Sequence, residues 1–185
     1  MRVYIALLRG INVSGQKKVS MAGLRDLLTG AGFQEVRTYI QSGNVIFSDT
    51  PAGKLQLQHQ IGELINKHFG FEVAVLVLSM AELREIIDEN PFRELHEGAQ
   101  AHMYFTFLFS KPADTRSKNL QQESFANEEC ALSERCVYML CHKGMGKARL
   151  NNNLIETRLQ VKATTRNFRT TLKLLEMGKA MANGS

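Results

Sequence analysis

Apolar and polar positions along the first half of the chain predict alternating strands and helices. Val3–Leu8 is a short, continuous apolar run, typical of a strand in a sheet that is covered on both sides. Apolar side chains then recur at helical spacing after Ser20, a residue type that favours the start of a helix. Two β-rich segments flank Gln41–Asn44, a hairpin signal in which Gly43 supplies a positive φ. The predicted segments are a strand at 3–8, a helix from 20 to 31, strands at 36–40 and 45–47, a helix at 52–69 and a strand at 73–78. The order β-α-β-β-α-β predicts a ferredoxin-like first half.

The second half of the chain predicts another group of strands and helices. Ser79 and Glu82 have the spacing of a capping box, which predicts a third helix, and Asn90-Pro91 ends it. Residues 91–101 form the predicted connection between the halves. The elements expected beyond it are an aromatic strand at 102–109, a polar helix or loop at 114–127, a hairpin from 131–133 and 137–141, and helices at 152–159 and 165–177.

Topology brings two polar loops of the first half to one edge of the sheet. With right-handed crossovers the first two strands run in the same direction, so the loop after strand one and the turn after strand two share an edge. The polar residues expected there are Arg9, Asn12, Lys17 and Lys18 in the loop and Gln41, Ser42 and Asn44 in the turn. Gly10, Gly15 and Gly43 let the backbone approach a ligand closely, and exposed N–H groups hold anions. The alternative is that these are ordinary turn residues, with Asn12 and Asn44 capping local backbone.

Basic residues are concentrated at the two ends of the chain, within a net charge of +5. Residues 1–49 hold six Lys and Arg against three Asp and Glu, and residues 143–185 hold nine against two. If the ends meet in the fold, they form a positive surface that attracts phosphates or other anions. Otherwise the charges serve only solubility.

The C-terminal segment Ala163–Arg169 is interpreted as the start of a helix. Thr164 or Thr165 would be the N-cap, which places Arg166 and Asn167 in the first turn. The unpaired N–H groups of a helix start suit a phosphate or carboxylate, and arginine there opposes the helix dipole. The alternative for Arg166 is an ion pair with the acidic middle of the chain.

Established catalytic and cofactor motifs are missing from the sequence. The segment before Gly146-Lys147 fails the phosphate-loop pattern, because Ala148 follows the lysine and Cys141 stands where the first glycine belongs. The five histidines and three cysteines have no metal-ligand spacing. We therefore expect no metal and no cofactor, and no catalytic residue is identified. The first apolar run is too short for a signal peptide or a membrane span, which predicts a cytoplasmic protein with reduced thiols and no membrane partner.

Four motifs of the chain resemble those of a known family. They are Val3–Val13, Arg37–Val45, Asn90–Phe92 and Ala163–Asn167. They are similar to the bacterial domain-of-unknown-function 1697 family, and the resemblance covers essentially the whole chain. It implies an α+β fold of two ferredoxin-like-related halves and supplies no reaction. We accordingly expect an N-terminal ferredoxin-like subdomain over 1–90 packed against a related α+β subdomain over 91–185.

The motifs that carry the resemblance include the polar residues that topology brings together. Our leading hypothesis is a cytoplasmic protein that binds an anionic, phosphate-bearing ligand such as a nucleotide or nucleic acid. The expected ligand-binding residues are Arg9, Gly10, Asn12, Lys17, Lys18, Gln41, Ser42, Asn44, Arg166 and Asn167. One alternative is an enzyme acting on a small phosphorylated or carboxylated metabolite, with Tyr39 or a lysine as acid or base. Another is a non-enzymatic, partner-binding protein in which these residues only maintain the fold.

Overall fold

The chain divides into two units in the computed structural model, which describes residues 1–13, 15–95 and 97–184. The first unit comprises Met1–Leu83 together with Leu174–Ser185, and the second comprises Arg84–Lys173. The strands are β1 (Arg2–Leu8), β2 (Gln34–Tyr39), β3 (Asn44–Asp49), β4 (Val75–Ser79), β5 (Met103–Leu108), β6 (Glu128–Leu132), β7 (Cys136–Cys141) and β8 (Ala163–Asn167). The helices are α1 (Met21–Gly30), α2 (Lys54–Phe69), α3 (Met80–Asp88), α4 (Glu97–Gln100), α5 (Asp114–Gln122), α6 (Asn152–Leu159) and α7 (Phe168–Asn183).

Each unit contains one four-stranded antiparallel sheet, and the two sheets have the same topology. The first has the strand order β2-β3-β1-β4, and the second has the order β6-β7-β5-β8. In both, the chain passes through strand, helix, hairpin, helix and strand, which is the ferredoxin-like arrangement. The expectation of an α+β fold with two ferredoxin-like halves is confirmed.

The core of the first unit explains why β1 is apolar on both faces. Tyr4, Ala6 and Leu8 point to one side, into a buried cluster to which α1 and α2 contribute. Ile5 and Leu7, which point to the other side, have no exposed surface either. A sheet buried in this way presents no aromatic platform on which bases of RNA could stack.

Helix ends in the first unit follow the capping signals in the sequence. The Ser20 hydroxyl accepts the N–H of Gly23 at the start of α1. Ahead of α3, Ser79 Oγ accepts the N–H of Glu82 at 3.2 Å, and Glu82 Oε2 accepts the N–H of Ser79 at 2.9 Å. The predicted capping box is therefore present, with both orphan N–H groups satisfied.

The C-terminal segment differs from its prediction, because Ala163–Asn167 is strand β8 rather than the start of a helix. Side-chain hydrogen bonds connect this strand to its neighbours: Thr165 Oγ1 lies 2.8 Å from Thr106 Oγ1 on β5 and donates to Asn152 Oδ1 at 3.0 Å. Helix α7 starts afterwards, where Asn167 Oδ1 accepts the N–H of Thr170 at 2.7 Å. The predicted N-cap at Thr164 or Thr165 is wrong, because the capping side chain is that of Asn167.

Gly43 closes the β2–β3 hairpin in a position that only glycine fits. Its φ is +76°, and an added Cβ would lie 2.7 Å from Leu8 Cβ and 2.9 Å from Ile11 Cδ1. Gly43 O also accepts the N–H of Leu8 at 2.8 Å. The hairpin turn is thereby held directly against the end of β1.

We predict that Gly43→Ala destabilises the protein by about 3 kcal/mol. About 1 kcal/mol comes from a left-handed backbone with a side chain, and about 2 kcal/mol from overpacking against Leu8 and Ile11. Gly10→Ala is the matched control: its φ is +68°, and nothing lies within 4 Å of the added Cβ. It should cost only about 1 kcal/mol in urea unfolding at an unchanged m-value. Equal losses in both variants would contradict the close packing of the turn.

Candidate functional site

The loop Arg9–Lys18 and the turn Ile40–Asn44 lie together at one end of the first sheet; we call these two segments the rim. Strands β1 and β2 are each antiparallel to β3, so they run in the same direction and end at the same edge. Asn12 Nδ2 donates to the backbone oxygen of Gln41 at 2.8 Å, which joins the two segments directly. The prediction that these loops meet is confirmed.

Asn12 uses its whole side chain to build the rim. Besides its bond to Gln41, Nδ2 donates to the backbone oxygen of Val19 at 3.0 Å, and Oδ1 accepts the N–H of Val19 at 2.9 Å. Both amide hydrogens are therefore used. The backbone of Asn12 has a φ of +53°, a conformation that asparagine tolerates better than most residues. Asn12 is a structural residue that bridges loop and turn.

Asn44 plays a similar part inside the turn. It is completely buried, and its Nδ2 donates to Tyr39 O at 3.0 Å and to Ser42 Oγ at 2.9 Å. Both amide hydrogens are again used within the protein. The two asparagines predicted to orient a ligand therefore orient the backbone of the rim.

The positively charged residues of the rim lie on the loop that Asn12 holds in place. Lys17 is exposed, and its Nζ donates to the backbone oxygen of Glu72 at 2.7 Å. Lys18 is exposed, and none of the described residues forms a hydrogen bond or ion pair with its side chain. Arg9 is half-buried, and its backbone N–H donates to Ala74 O at 2.9 Å. The loop from Arg9 to Lys18 contains no acidic residue, so its formal charge is entirely positive.

The remaining predicted rim residues differ in exposure. Gly10 is exposed with a φ of +68°, and open space surrounds the position where a Cβ would stand. Gln41 is exposed and contributes its backbone oxygen to the bond from Asn12. Ser42 is half-buried, and its hydroxyl accepts a hydrogen bond from Asn44.

Two apolar side chains of the rim were not expected from the sequence. Val13 is 59% exposed and Ile40 is 50% exposed, and each is the chain neighbour of a partner in the Asn12–Gln41 bond. Ile40 also has a φ of +49°, which is a strained conformation for a β-branched residue. The sequence signal that could have identified these two residues was their position as apolar residues next to a polar loop and a polar turn.

Arg166 and Asn167 lie in β8 of the second unit and are engaged there. Arg166 is 7% exposed, and its Nη1 donates to Thr164 Oγ1 and to Thr165 O, each at 2.8 Å. Burial lowers the pKa of Arg166 to about 10, which leaves the guanidinium charged at neutral pH. The prediction that Arg166 and Asn167 occupy the first turn of a helix is wrong, because the strand continues through both.

The three cysteine thiols are not activated as nucleophiles. Burial raises the pKa of Cys130 and of Cys136, and it raises the pKa of Cys141 to about 11. A thiol with a raised pKa is protonated at neutral pH and does not react as a thiolate. Among residues 1–13, 15–95 and 97–184, no group of three or more His, Cys, Asp or Glu is placed to hold a metal ion.

Helix length and polarity rule out a membrane-spanning helix in the described part of the chain. None of its helices is both long enough and apolar enough to cross a bilayer.

We predict that Asn12→Ala destabilises the protein by about 2 kcal/mol, because three hydrogen bonds are lost and buried backbone groups of Val19 lose their partner. Gln41→Ala is the matched control, since the bond from Asn12 ends on the Gln41 backbone. Its cost should stay within about 0.5 kcal/mol, as for an ordinary surface substitution. Urea unfolding measures both, and an Asn12→Ala variant as stable as the Gln41→Ala variant would refute the bridging role.

Comparison with known proteins identifies the family. The model of a family described as "Protein of unknown function (DUF1697)" matches residues 1–138. A solved structure described as that of the conserved bacterial protein SP0830 from Streptococcus pneumoniae is 25% identical in sequence to this chain, with a TM-score of 0.72. That similarity covers 96% of this chain and 98% of the streptococcal one. No curated protein matches the chain. Because the family model spans most of its length, the chain belongs to the DUF1697 family of proteins of unknown function.

Proposed function

We propose that the rim binds an anionic, phosphate-bearing ligand of the nucleotide or nucleic-acid class. The observation that carries this proposal is the Asn12 bridge. It holds the loop after β1 against the hairpin turn, and all charged residues of that loop are positive. A loop held in this way loses little conformational entropy when it binds, which raises its affinity for a given set of contacts.

Lysines supply most of the proposed attraction. Lys18 offers all three ammonium hydrogens to a ligand, and Lys17 retains two after its bond to Glu72 O. Both are exposed on the same short loop, so a phosphate group can approach them without displacing buried structure. Arg9 adds a third positive charge to the loop and raises the local potential.

Fewer groups are available to orient the ligand than the sequence analysis predicted. The exposed side chain of Gln41 and the open backbone at Gly10 are accessible to a ligand. The side-chain amides of Asn12 and Asn44 donate their hydrogens to oxygen atoms of the protein. We therefore assign these two residues to the framework of the rim, meaning the residues that hold its backbone in place. For Arg166 and Asn167, which lie in β8, we propose no part in this site.

The exposed Val13 and Ile40 favour a ligand that is more than a bare phosphate. A nucleobase or sugar has apolar faces that would cover these side chains while its phosphate contacts the lysines. Exposed apolar side chains beside positive charges offer a surface that the base or sugar of a nucleotide can cover, and an inorganic anion gains nothing from them. This observation is the reason for preferring nucleotides or nucleic acid over simple anions.

Fluorescence anisotropy of a labelled oligothymidylate tests the proposal. The binding constant should fall steeply as salt is raised, because contacts to phosphates release counterions. In a Lys17→Gln/Lys18→Gln variant, the slope of log K against log salt should shrink by about 1.4, from about 0.7 for each single-strand phosphate contact. Mononucleotide competitors added at millimolar concentration distinguish a nucleotide site from a longer nucleic-acid surface.

A charge-matched variant controls for the loss of net positive charge. Lys118 on α5 and Lys179 on α7 are also exposed, so Lys118→Gln/Lys179→Gln removes two charges outside the rim. Its salt slope should match that of the unmodified protein. A binding constant that does not change with salt, or an equal loss in the two double variants, would contradict binding at the rim.

The enzyme alternative requires a ligand of the metabolite class and is tested separately. Any ligand that binds the folded state raises its thermal stability in proportion to the logarithm of its concentration. A thermal-shift screen of nucleotides and phosphorylated metabolites at millimolar concentration would therefore detect a substrate. A protein that no compound stabilises, and that binds no oligonucleotide, leaves the non-enzymatic, partner-binding alternative.

A further inference from the structure

An open cleft in the second unit has the composition of a ligand site and is independent of the rim. Its volume is about 550 Å3, within the range of small-molecule sites. Tyr138 on β7 lines it together with Pro91 and Leu132, which add apolar surface. The other polar residues that line it are Glu89, Ser133, Glu134 and Arg135.

Two of the charged residues at this cleft are already neutralised. Arg135 Nη2 lies 2.6 Å from Glu85 Oε2, and Glu134 Oε1 lies 2.5 Å from Lys111 Nζ. Each pair contributes no net charge to the cleft. The electrostatic character of the cleft is therefore set by the carboxylate that remains, that of Glu89.

Glu89 has an exposed carboxylate with little compensation. Its one polar contact among the described residues is the hydroxyl of Tyr138, which lies 3.4 Å from Oε2. That hydroxyl has a single hydrogen, and Ser133 Oγ also lies 3.4 Å from it. Both distances are long for O–H···O bonds, so most of the acceptor capacity of Glu89 is unused. No cation of the described chain forms an ion pair with this carboxylate.

The turn after α3 holds Glu89 and Pro91 at the cleft. Asn90, between them, is 3% exposed, and its Oδ1 accepts the N–H of Phe92 at 3.0 Å. This Asx turn orients the backbone on both sides of Asn90. The motif Asn90–Phe92, which the rim leaves unexplained, thus shapes one wall of the cleft.

We propose that this cleft binds a small organic amine, whose ammonium group pairs with Glu89 and whose apolar body lies against Pro91 and Leu132. An ammonium group donates the hydrogens that the Glu89 carboxylate lacks, and it carries the opposite charge. The apolar body gains by leaving water for the surface of Pro91 and Leu132. An anionic ligand would meet the uncompensated charge of Glu89, and a neutral one would leave that charge unpaired.

NMR titration with benzylammonium chloride tests this assignment. The amide signals of Glu89 and of residues 131–135 should shift in a saturable manner. Benzyl alcohol and benzoate, which keep the ring and change the charge, should produce much weaker shifts at equal concentration. Glu89→Gln should lower the affinity for benzylammonium about five-fold, as expected for a solvent-exposed ion pair. Glu89 is exposed, so this variant retains the fold.

A nearby carboxylate outside the cleft provides the matched control. Glu94 is exposed. Among the described residues its carboxylate forms one ion pair, in which Oε1 lies 3.7 Å from Arg93 Nη2. Glu94→Gln should leave benzylammonium affinity unchanged. Equal shifts by all three ring compounds, an unaffected Glu89→Gln variant, or no shift of residues 131–135 at tens of millimolar would each overturn the proposal. These outcomes do not depend on whether the rim binds phosphate.

Discussion

The Asn12 side chain is the interaction on which the arrangement of the first unit's polar edge depends. One amide group joins the loop after β1 to the hairpin turn and to the entry of α1, through Gln41 O and both backbone groups of Val19. Gly43 makes this possible, because a side chain there would collide with Leu8 and Ile11. Without the bridge, the loop that carries the lysines would be held less firmly, and ordering it on binding would cost about 1–2 kcal/mol for each residue immobilised.

The polar residues of the rim divide into a framework and a surface. Asn12 and Asn44 belong to the framework, since their amide hydrogens end on protein oxygens. Lys17, Lys18 and Gln41 are exposed and belong to the surface. The two asparagines, which were predicted to bind a ligand, therefore have a structural role. The lysines and the glutamine, which are accessible to a ligand, stand out less in the sequence than the asparagines do.

The repeated topology of the two units shows why the rim differs from its counterpart. In the second unit, the loop after β5 and the β6–β7 turn also meet, but an ion pair between Lys111 and Glu134 joins them at 2.5 Å. There the cation is neutralised within the protein. In the first unit a neutral amide makes the connection, so the lysines of the loop keep their charge for a ligand. The same backbone plan thus supports a cationic edge in one unit and a cleft beside Glu89 in the other.

Sequence patterns predicted most of this fold, and the exceptions have physical reasons. The helix predicted over 152–159 has those bounds in the structure, because its apolar spacing and Asn151 cap are local signals. Strand β8 was missed because it has little apolar periodicity, and the hydrogen bonds of Thr165 with Thr106 and Asn152 join it to residues distant in the sequence. The meeting of loop and turn followed from topology. That Asn12 and Asn44 are structural while the lysines are accessible to a ligand did not follow from topology. It depends on which hydrogen-bonding groups already have partners within the fold.

Backbone amide NMR during titration with a mononucleotide tests whether the rim is a preorganised anion site. We expect saturable shifts concentrated at Gly10, Lys17, Lys18 and Gln41, with a smaller effect at Asn44, whose side chain is hydrogen-bonded within the turn. The basic segment 142–149, with Lys143, Lys147 and Arg149, provides the internal comparison, because it has as many lysine and arginine side chains as the loop Arg9–Lys18. Shifts concentrated in that segment, or spread evenly over exposed lysines, would contradict a preorganised anion site at the rim.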